Sequence, residues 1–382
     1  MNKVMKFITY ISVFALLVLV SMGCEKYDDD PIFPASDFIS EGEYQGSYWP
    51  TTAWRTCAPD EVGMDPKKLK ELNEEMRLLL EMNIEVQSIL IVKDGYIVAE
   101  QYYSDDYGQD DLHRIYSCTK SLTSALLGIA SGKGLLGGID QKMVSFFPEY
   151  EIQNISEDKN AISIEHLLTM SAGLEWYELE YPYGDERNTF RNWSDSGGGV
   201  KYVLDLPMVA APGEEYSYST GVSHVLSGIL QKATGMRADS FAMEHLFAPL
   251  GINQFNWPID NQGVAYGGSG ARLTPRDMAR FGYLYLNDGM WDGSQIVPET
   301  WVEASQQKHI ARKYIPDTYY GYQFWVSDYD TYSAVGYGGQ WITIVPDHDL
   351  VVVFNNRFVE GDNLQWNTPE RLLTTYILPS LQ

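Results

Sequence analysis

Hydrophobic residues follow a strand-like pattern near both ends of the chain and a helix-like pattern between them. Runs rich in β-branched and aromatic residues cover residues 86–92 and 96–103, and the Lys-Asp-Gly sequence between them is typical of a hairpin turn. Four further strands are predicted towards the other end, at residues 320–326, 332–335, 341–345 and 350–355. Strands are therefore expected at both ends of the folded chain.

Helices are predicted where apolar residues recur every three or four positions between recognisable end signals. Asp65-Pro66 is typical of a helix start, because the aspartate can cap the first turn and proline is tolerated at its first position. A buried helix is predicted at 117–131, and a C-terminal helix begins at Thr368-Pro369. Shorter helices are predicted at residues 164–170, 200–206, 222–233, 240–246 and 275–286.

This order of elements favours an α+β fold over a doubly wound one. The simplest packing is one antiparallel sheet built from both ends of the chain, because a sheet must bury its apolar face against another layer. The terminal helices would flank this sheet, and the middle third of the chain would form an inserted all-helical lobe. We expect residues 60–382 to form this single domain.

The first residues have the pattern of an export signal. Two lysines precede an apolar run at residues 7–20, which is followed by Ser-Met-Gly and Cys24. This ending resembles a bacterial lipoprotein signal, so residues 1–24 are predicted to be a lipoprotein signal peptide, with Cys24 lipidated and left as the mature N-terminus. A plain signal peptide is the alternative. Residues 25–59, acidic at first and then rich in Pro, Ser, Gly and Tyr, are predicted to be a tether. The protein would be lipid-anchored at the bacterial outer membrane, on its periplasmic or cell-surface face.

The charge of the chain excludes two classes of partner. Among 382 residues, 27 are Lys or Arg and 52 are Asp or Glu, which gives a formal net charge of −25. Nucleic-acid binding relies on cationic side chains that displace counterions from phosphates, so no nucleic-acid partner is expected. The same charge opposes adsorption to anionic lipid. We therefore expect membrane contact only through the N-terminal anchor.

Several familiar chemistries have no signature in the sequence. The six histidines form no H-E-x-x-H motif, and three cysteines are too few for a cysteine-based zinc site. No phosphate-binding P-loop is present, and the G-x-S-x-G elbow of Ser-His-Asp hydrolases is absent. Neither a metal nor another cofactor is expected.

A serine can also be activated by a lysine one helical turn later, because residues three apart share a helix face. The S-x-x-K pattern occurs at residues 117–120, 156–159 and 305–308. The last two occurrences lie in polar stretches of the sequence, where we expect the lysines to be exposed to solvent. Ser117 instead opens an apolar helix, so Lys120 should lie just inside a buried surface. The alternative is that Ser117 only caps this helix and Lys120 extends outwards.

Five segments in order resemble one family. The residues around Ser117 resemble the S-x-x-K motif of serine β-lactamases and penicillin-binding proteins, and residues 212–221 resemble the second motif, with Tyr218 at its tyrosine. Residues 164–174, 273–282 and 334–340 resemble further family segments, the last being the third motif and the start of its strand. Within the superfamily, the chain is most similar to class C β-lactamase-like esterases and 6-aminohexanoate-dimer hydrolases. The resemblance covers roughly residues 60–380.

This resemblance implies a role for each matching residue. Ser117 would attack a carbonyl and form an acyl-enzyme, Lys120 would accept its proton, and Tyr218 would relay a proton to the leaving group. The backbone N–H groups of Ser117 and Tyr337 would form the oxyanion hole. Gly336, Gly338 and Gln340 of the third motif would contact the substrate.

One departure from the family affects the expected substrate. The third motif has Gly336-Tyr337-Gly338 where β-lactamases have Lys-Thr-Gly, so the cation that would hold a substrate carboxylate is missing. The acidic chain would also repel anions. We therefore expect a small neutral or cationic ester or amide as substrate. A β-lactamase or D-alanyl-D-alanine carboxypeptidase is one alternative, and a non-catalytic surface-binding lipoprotein is another.

A long aromatic loop lies between the first two motifs. Residues 175–199 contain six aromatic residues and end in three glycines. Such a loop is expected either to form a wall or lid of the site or to pin itself to the body of the protein. In the first case Trp176 and Tyr181 would contact the substrate.

Overall fold

The computed structural model describes residues 38–82, 84, 86–104, 107–313, 317–327, 330–357 and 364–382, without side-chain detail for 364–366. The predicted signal peptide, Cys24 and the acidic part of the predicted tether lie outside the described residues. None of the described helices combines the length and apolar character that a bilayer crossing requires.

The centre of the fold is an eight-stranded antiparallel sheet with the order β2-β1-β12-β11-β10-β9-β8-β7. Its strands are β1 (Val86–Lys93), β2 (Tyr96–Tyr102), β7 (Ile310–Ala311), β8 (Thr318–Tyr320), β9 (Trp325–Ser327), β10 (Tyr332–Gly336), β11 (Gln340–Val345) and β12 (Leu350–Asn356). Strand β1 pairs with β12, so the two ends of the chain form one sheet. Two small ribbons pair β3 (His113–Arg114) with β4 (Arg272–Leu273) and β5 (Met290–Trp291) with β6 (Ser294–Gln295).

Twelve α-helices flank this sheet or form the lobe in the described part of the chain. They are α1 (Pro66–Glu81), α2 (Cys118–Gly132), α3 (Glu157–Ala161), α4 (Ile164–Leu168), α5 (Thr189–Asp195), α6 (Val200–Leu204), α7 (Thr220–Thr234), α8 (Ala238–Ala242), α9 (Ala248–Leu250), α10 (Pro275–Leu286), α11 (Glu299–Gln306) and α12 (Leu364–Leu372). π-Helical turns follow α8 at Met243–Phe247 and α12 at Leu373–Ile377.

The sheet separates two hydrophobic cores because side chains alternate between its faces. Ile89 and Ile91 of β1 pack in the core beneath α1 and the C-terminal segment. Leu90 and Val92 point the other way, into the larger core that contains α2, α7 and α10. The predicted α+β class is therefore confirmed, with terminal helices on one face and the helical lobe beyond the other.

Local sequence signals account for several boundaries. The Asp65 side chain accepts a hydrogen bond from the Lys67 backbone N–H at 2.8 Å, so it caps α1 as expected. Asp94 and Gly95 have φ values of 51° and 82°, the left-handed conformation that a tight hairpin turn between β1 and β2 requires. These two predictions depended only on residues adjacent in sequence.

Three expectations differ from the structure because tertiary contacts override local composition. Phe38, Trp54 and Cys57 are buried against the domain, so the part of the predicted tether from Phe38 onwards packs on the sheet. The strand predicted at 320–326 is two strands, separated by a turn in which Gln323 has a φ of 63° and donates its backbone N–H to Leu168 O at 3.1 Å. Helix α12 begins before Thr368, so Pro369 lies inside it.

Candidate active site

Ser117 lies at the N-terminus of α2, directly after a strained residue. Tyr116 has a φ of 45°, a conformation that few residues other than glycine adopt and that often marks a functional site. The Ser117 side chain makes no capping hydrogen bond to its helix, so it does not act as a helix cap, which was the alternative interpretation of this serine. Its hydroxyl accepts a hydrogen bond from Lys120 Nζ at 3.0 Å.

Lys120 is held in a closed pocket between α2, α7 and the Gly267–Gly268 backbone. Its side chain is 1% exposed, and Nζ also donates to Thr220 Oγ1 at 2.9 Å and to Gly268 O at 2.7 Å. Burial disfavours the charged amine and lowers the pKa of Lys120 to about 8, although the negative Glu178 works in the opposite direction. An amine with this pKa can exchange a proton with a serine near neutral pH.

Tyr218 completes the predicted group of three. Its ring lies 4.7 Å from Lys120 Nζ, and the Ser117 hydroxyl is among the groups that act on its phenol. Burial and the nearby Glu178 raise the pKa of Tyr218 well above its ordinary value, so the phenol keeps its proton near neutral pH. The structure therefore brings together the three side chains that the motifs singled out.

Glu178 is a buried site residue that the sequence reasoning missed. Its carboxylate accepts hydrogen bonds from Thr220 N and Thr220 Oγ1, both at 2.7 Å, and from Trp176 Nε1 at 2.8 Å. The phenol of Tyr183 donates to it at 3.1 Å. Because Thr220 Oγ1 donates to Glu178, its lone pairs face Lys120, and the carboxylate thereby orients one of the three acceptors around the amine. No local pattern distinguishes Glu178 from the other glutamates of this loop.

A buried histidine supports the opposite side of the Lys120 pocket. His224 Nε2 lies 3.0 Å from Asp260 Oδ2, and the Gly267 backbone N–H donates to His224 Nδ1 at 3.4 Å. Since Nδ1 accepts, the proton of the neutral ring lies on Nε2 and is donated to Asp260. This pair orders the backbone directly before Gly268, whose carbonyl accepts from Lys120.

The third-motif residues form the tight turn between β10 and β11. A Cβ at Gly336 would lie 2.3 Å from Ile115 O, so only glycine allows this strand to approach the start of α2. Gly338 turns the chain with a φ of 73°. Gln340 is buried, and its amide donates to Asn356 O and accepts from the Asn356 N–H at 3.3 Å. The side chain is thus used within the sheet, and its substrate contact stays a prediction.

Tyr337 lies at the tip of this turn, next to the nucleophile. Its ring packs against that of Tyr116 at 5.9 Å and that of Tyr183 at 4.9 Å. The hairpin tip, the residue before Ser117 and the aromatic loop therefore meet. The oxyanion role of the Tyr337 N–H stays a prediction.

The two loop residues predicted to contact substrate have other partners. Trp176 is 2% exposed and donates to Glu178, so it is a core residue rather than part of a site wall. The Tyr181 ring lies 4.3 Å beneath the Arg187 guanidinium in its own loop. Asn188 Nδ2 donates to the Glu178 and Tyr181 carbonyls. These contacts lie within the loop itself, whereas the Glu178 carboxylate joins the loop to Thr220 of α7.

The other S-x-x-K matches do not form a comparable site. Lys159 is fully buried, against the expectation of a solvated side chain, because Nζ donates to the carbonyls of Gln153, Leu204 and Leu206 at 2.6–2.9 Å. Lys308 is exposed, as expected. Within the described ranges, no three His, Cys, Asp or Glu side chains lie together in the manner of metal ligands.

Fold and site together define a serine hydrolase in which a helical lobe and an antiparallel sheet enclose the Ser-Lys-Tyr group. A model of the family described as Beta-lactamase matches residues 80–373, more than half of the 382 residues. The chain therefore belongs to the Beta-lactamase family of serine hydrolases, and the resemblance drawn from the motifs is confirmed.

Individual relatives agree with this assignment. The chain is 23% identical over 299 residues to the 6-aminohexanoate-dimer hydrolase of Paenarthrobacter ureafaciens, covering 73% of this chain and 74% of the relative. The putative 6-aminohexanoate-dimer hydrolase from Bacillus anthracis has a TM-score of 0.69 at 20% identity, covering 90% of this chain and 89% of that one. EstCE1, a hydrolase with promiscuous acyltransferase activity, has a TM-score of 0.64 at 16% identity, and the match covers 80% of this chain and 97% of EstCE1. At these identities the structural similarity bears on the fold alone.

Proposed function

We propose that this protein hydrolyses a small neutral or cationic ester or amide through an acyl-enzyme on Ser117. The observation that carries the proposal is the 3.0 Å hydrogen bond between Lys120 Nζ and Ser117 Oγ, in a pocket that leaves Lys120 only 1% exposed. A serine hydroxyl is a weak nucleophile until a neighbouring base removes its proton. Neutral Lys120 is the base that lies within reach.

Acylation follows from the positions of these groups. Lys120 takes the Ser117 proton as Oγ attacks the substrate carbonyl, and a C–O bond forms while the carbonyl oxygen becomes an oxyanion. The tetrahedral intermediate then collapses, the bond to the leaving alcohol or amine breaks, and Tyr218 passes that group a proton, which Lys120 replaces. In deacylation, water attacks the acyl-enzyme by the same proton transfers in reverse, releasing a carboxylic acid and regenerating Ser117.

The oxyanion would be stabilised by the backbone N–H groups of Ser117 and Tyr337. Ser117 stands at the N-terminus of the 15-residue helix α2, where the helix dipole favours negative charge. Contact of the Tyr337 and Tyr116 rings at 5.9 Å brings the hairpin tip to the same place. Removing one donor from such a pair commonly lowers kcat by roughly 10²–10³-fold.

The preference for an uncharged or cationic substrate rests on what the third motif lacks. Gly336 replaces the lysine that would pair with a substrate carboxylate, and a Cβ there would collide with Ile115 O. A longer side chain at that position is thus incompatible with this backbone. The negative charge of the chain adds a long-range preference in the same direction.

We also propose that the protein is exported and anchored through lipid on Cys24, which rests on the N-terminal sequence alone. Metabolic labelling with a palmitate analogue should mark the wild-type protein and not the Cys24→Ser variant. Equal labelling of both proteins would contradict the anchor.

The catalytic proposal is tested by labelling with a fluorophosphonate, which reacts with activated serines. We expect the wild-type protein to be labelled and Ser117→Ala to stay unlabelled. Ser156→Ala is the matched control and should be labelled like the wild type. Turnover of short p-nitrophenyl esters should exceed that of nitrocefin. An unlabelled wild-type protein would overturn the serine nucleophile, and fast nitrocefin hydrolysis would overturn the substrate argument.

A further inference from the structure

A cavity of ≈ 340 Å³ lies between the outer strands of the sheet and the C-terminal helical segment. Trp325, Val335 and Trp341 line it from the sheet, and Leu373 and Leu378 line it from the other side. This volume lies within the range of small-molecule pockets, about 300–1,000 Å³. The lining does not include Ser117, Lys120 or Tyr218, so the cavity is a space of its own.

Strand register explains why these side chains face one space. Trp325 of β9 pairs with Ser333 of β10, and Val335 of β10 pairs with Trp341 of β11. Directly opposed residues of antiparallel strands point to the same face. With Thr318 of β8, the lining crosses four neighbouring strands, a length of roughly 14 Å at a strand spacing of about 4.8 Å. The cavity is therefore elongated across the strands.

Arg312 provides the cavity with a cation that lacks a carboxylate partner among the described residues. Its guanidinium lies 3.8 Å from the Trp325 ring, and the polar groups next to it are the phenols of Tyr216, Tyr218 and Tyr320. Burial lowers the pKa of Arg312, which reflects the loss of water around the charge. A desolvated cation without a counter-ion is costly, so an anion placed here would be stabilised.

Two hydrogen-bond donors of this cavity are also unused. In the described part of the chain, Trp341 Nε1 and Arg312 Nε are buried atoms with no hydrogen-bond partner. Buried donors normally find an acceptor, and leaving one unpaired is unfavourable. The lining combines apolar side chains with hydroxyl-bearing ones, and donors without acceptors there favour a ligand that carries both an apolar part and oxygen atoms. The acidic residue of the lining, Glu370, lies on the exposed side of α12.

The cavity shares a wall with the catalytic group. The Trp325 ring that lines it also packs against the Tyr218 ring at 5.7 Å. Leu179, another lining residue, directly follows Glu178 in the chain. A molecule in the cavity would thus lie one aromatic ring away from the proposed proton relay.

We propose that this cavity is a binding site for an apolar monocarboxylate of the medium-chain fatty acid type. The carboxylate pairs with Arg312, for which a planar guanidinium is well suited, and the chain extends between the sheet and the C-terminal segment. The Trp341 N–H contributes a further donor to an oxygen-bearing ligand. This inference does not depend on the proposed hydrolysis, because no catalytic side chain lines the cavity.

Calorimetric titration of the mature protein with sodium octanoate tests the proposal. We expect one site, about fourfold tighter binding for each methylene added from butanoate to octanoate, and much weaker binding of 1-octanol. Arg312→Gln should weaken octanoate binding about 10- to 100-fold. Arg237→Gln is the matched control, because it removes a guanidinium that pairs with Asp239 on the surface, and it should bind normally.

Two further variants keep the result decisive. Thr374→Trp changes an exposed lining residue of the C-terminal segment, so the fold should persist while the new ring fills the cavity and abolishes binding. Ser117→Ala should bind octanoate as the wild type does, which separates this site from the catalytic one. Absence of octanoate binding, equal affinity for octanol, or unchanged binding by Thr374→Trp would each overturn the proposal.

Discussion

Two S-x-x-K segments of this protein bury a lysine, and only one of them joins the lysine amine to its own serine hydroxyl. At 117–120 the serine hydroxyl is free of helix capping and accepts from Lys120 Nζ at 3.0 Å. At 156–159 the serine hydroxyl caps its helix by accepting the Lys159 backbone N–H at 3.0 Å, and Lys159 Nζ donates to three carbonyls instead. The two segments share the S-x-x-K motif and a buried lysine, but their serine and lysine side chains have different hydrogen-bond partners.

This difference indicates that burial alone does not activate the pair. Burial lowers the pKa of Lys159 as well, but its amine donates to three carbonyls, which can only accept, and the Ser156 hydroxyl is occupied by the backbone. Lys120 has one carbonyl and two hydroxyls, and a hydroxyl can both accept a proton and give one up. Its environment therefore tolerates both protonation states, which a general base requires.

The largest expected effect comes from exchanging each serine for alanine. Ser117→Ala should lower ester turnover by roughly 10⁴–10⁶-fold, because the nucleophile is lost, whereas Ser156→Ala should keep turnover within about twofold. Steady-state kinetics with a p-nitrophenyl ester measures both variants. Comparable losses in the two variants would remove the distinction between the sites.

The two lysines should separate activity from stability. Lys120→Met should lower kcat by about 10²–10⁴-fold, the usual contribution of a general base, while the protein stays folded. Lys159→Met should leave kcat nearly unchanged and lower the melting temperature, because the carbonyl of buried Leu204 loses its donor at a cost of roughly 1–3 kcal/mol. Kinetics and thermal denaturation of both variants provide the check, and a Lys159→Met enzyme that is folded yet inactive would contradict it.

Glu178 should tune the active pair, and the acidic residue that acts on Lys159 is Asp205. The rate should rise with pH through a pKa of about 8 as Lys120 loses its proton. Since the Glu178 charge raises the pKa of Lys120, Glu178→Gln should move this rise in rate to lower pH. The variant should also lower kcat by about 10-fold or more, because the Thr220 hydroxyl is no longer held in place by the carboxylate. The kcat/KM–pH profile reports both, and a rise moved to higher pH would be inconsistent with this role. Glu180→Gln, an exposed change in the same loop, is the control.

The smallest effect concerns the capping serine itself. Ser156→Ala should cost about 1 kcal/mol of unfolding free energy, the ordinary value of an N-cap. Ser117→Ala should cost less, because Ser117 Oγ makes no capping hydrogen bond. Urea denaturation of the two variants compares them directly, and a larger loss for Ser117→Ala would mean that its hydroxyl is structural.

Much of the fold and the centre of the site were predictable because they depend on local sequence. The hairpin at Asp94-Gly95 and the Asp65 cap are set by neighbouring residues, and Ser117, Lys120 and Tyr218 carry family motifs. Glu178 and Gly268 were not predictable in the same way. One acts through contacts 42 residues away, and the other through a carbonyl oxygen that every residue possesses.

The burial of Lys159 and the packing of Phe38 were missed for the same reason. Lys159 donates to carbonyls 45 and 47 residues further along the chain, so its polar surroundings in sequence gave no indication of them. Phe38 lies in composition typical of a linker, yet its carbonyl accepts from the Glu100 N–H at the edge of the sheet, and its ring is buried. Contacts between distant segments decide both cases.

Intact-protein mass spectrometry after rapid quenching of an ester reaction tests the central claim most directly. We expect the wild-type protein and Ser156→Ala to gain the mass of one acyl group, on the peptide that contains Ser117, and Ser117→Ala to gain none. Ester turnover by the wild type with no acyl adduct under any quench time, or an adduct on another residue, would contradict an acyl-enzyme on Ser117.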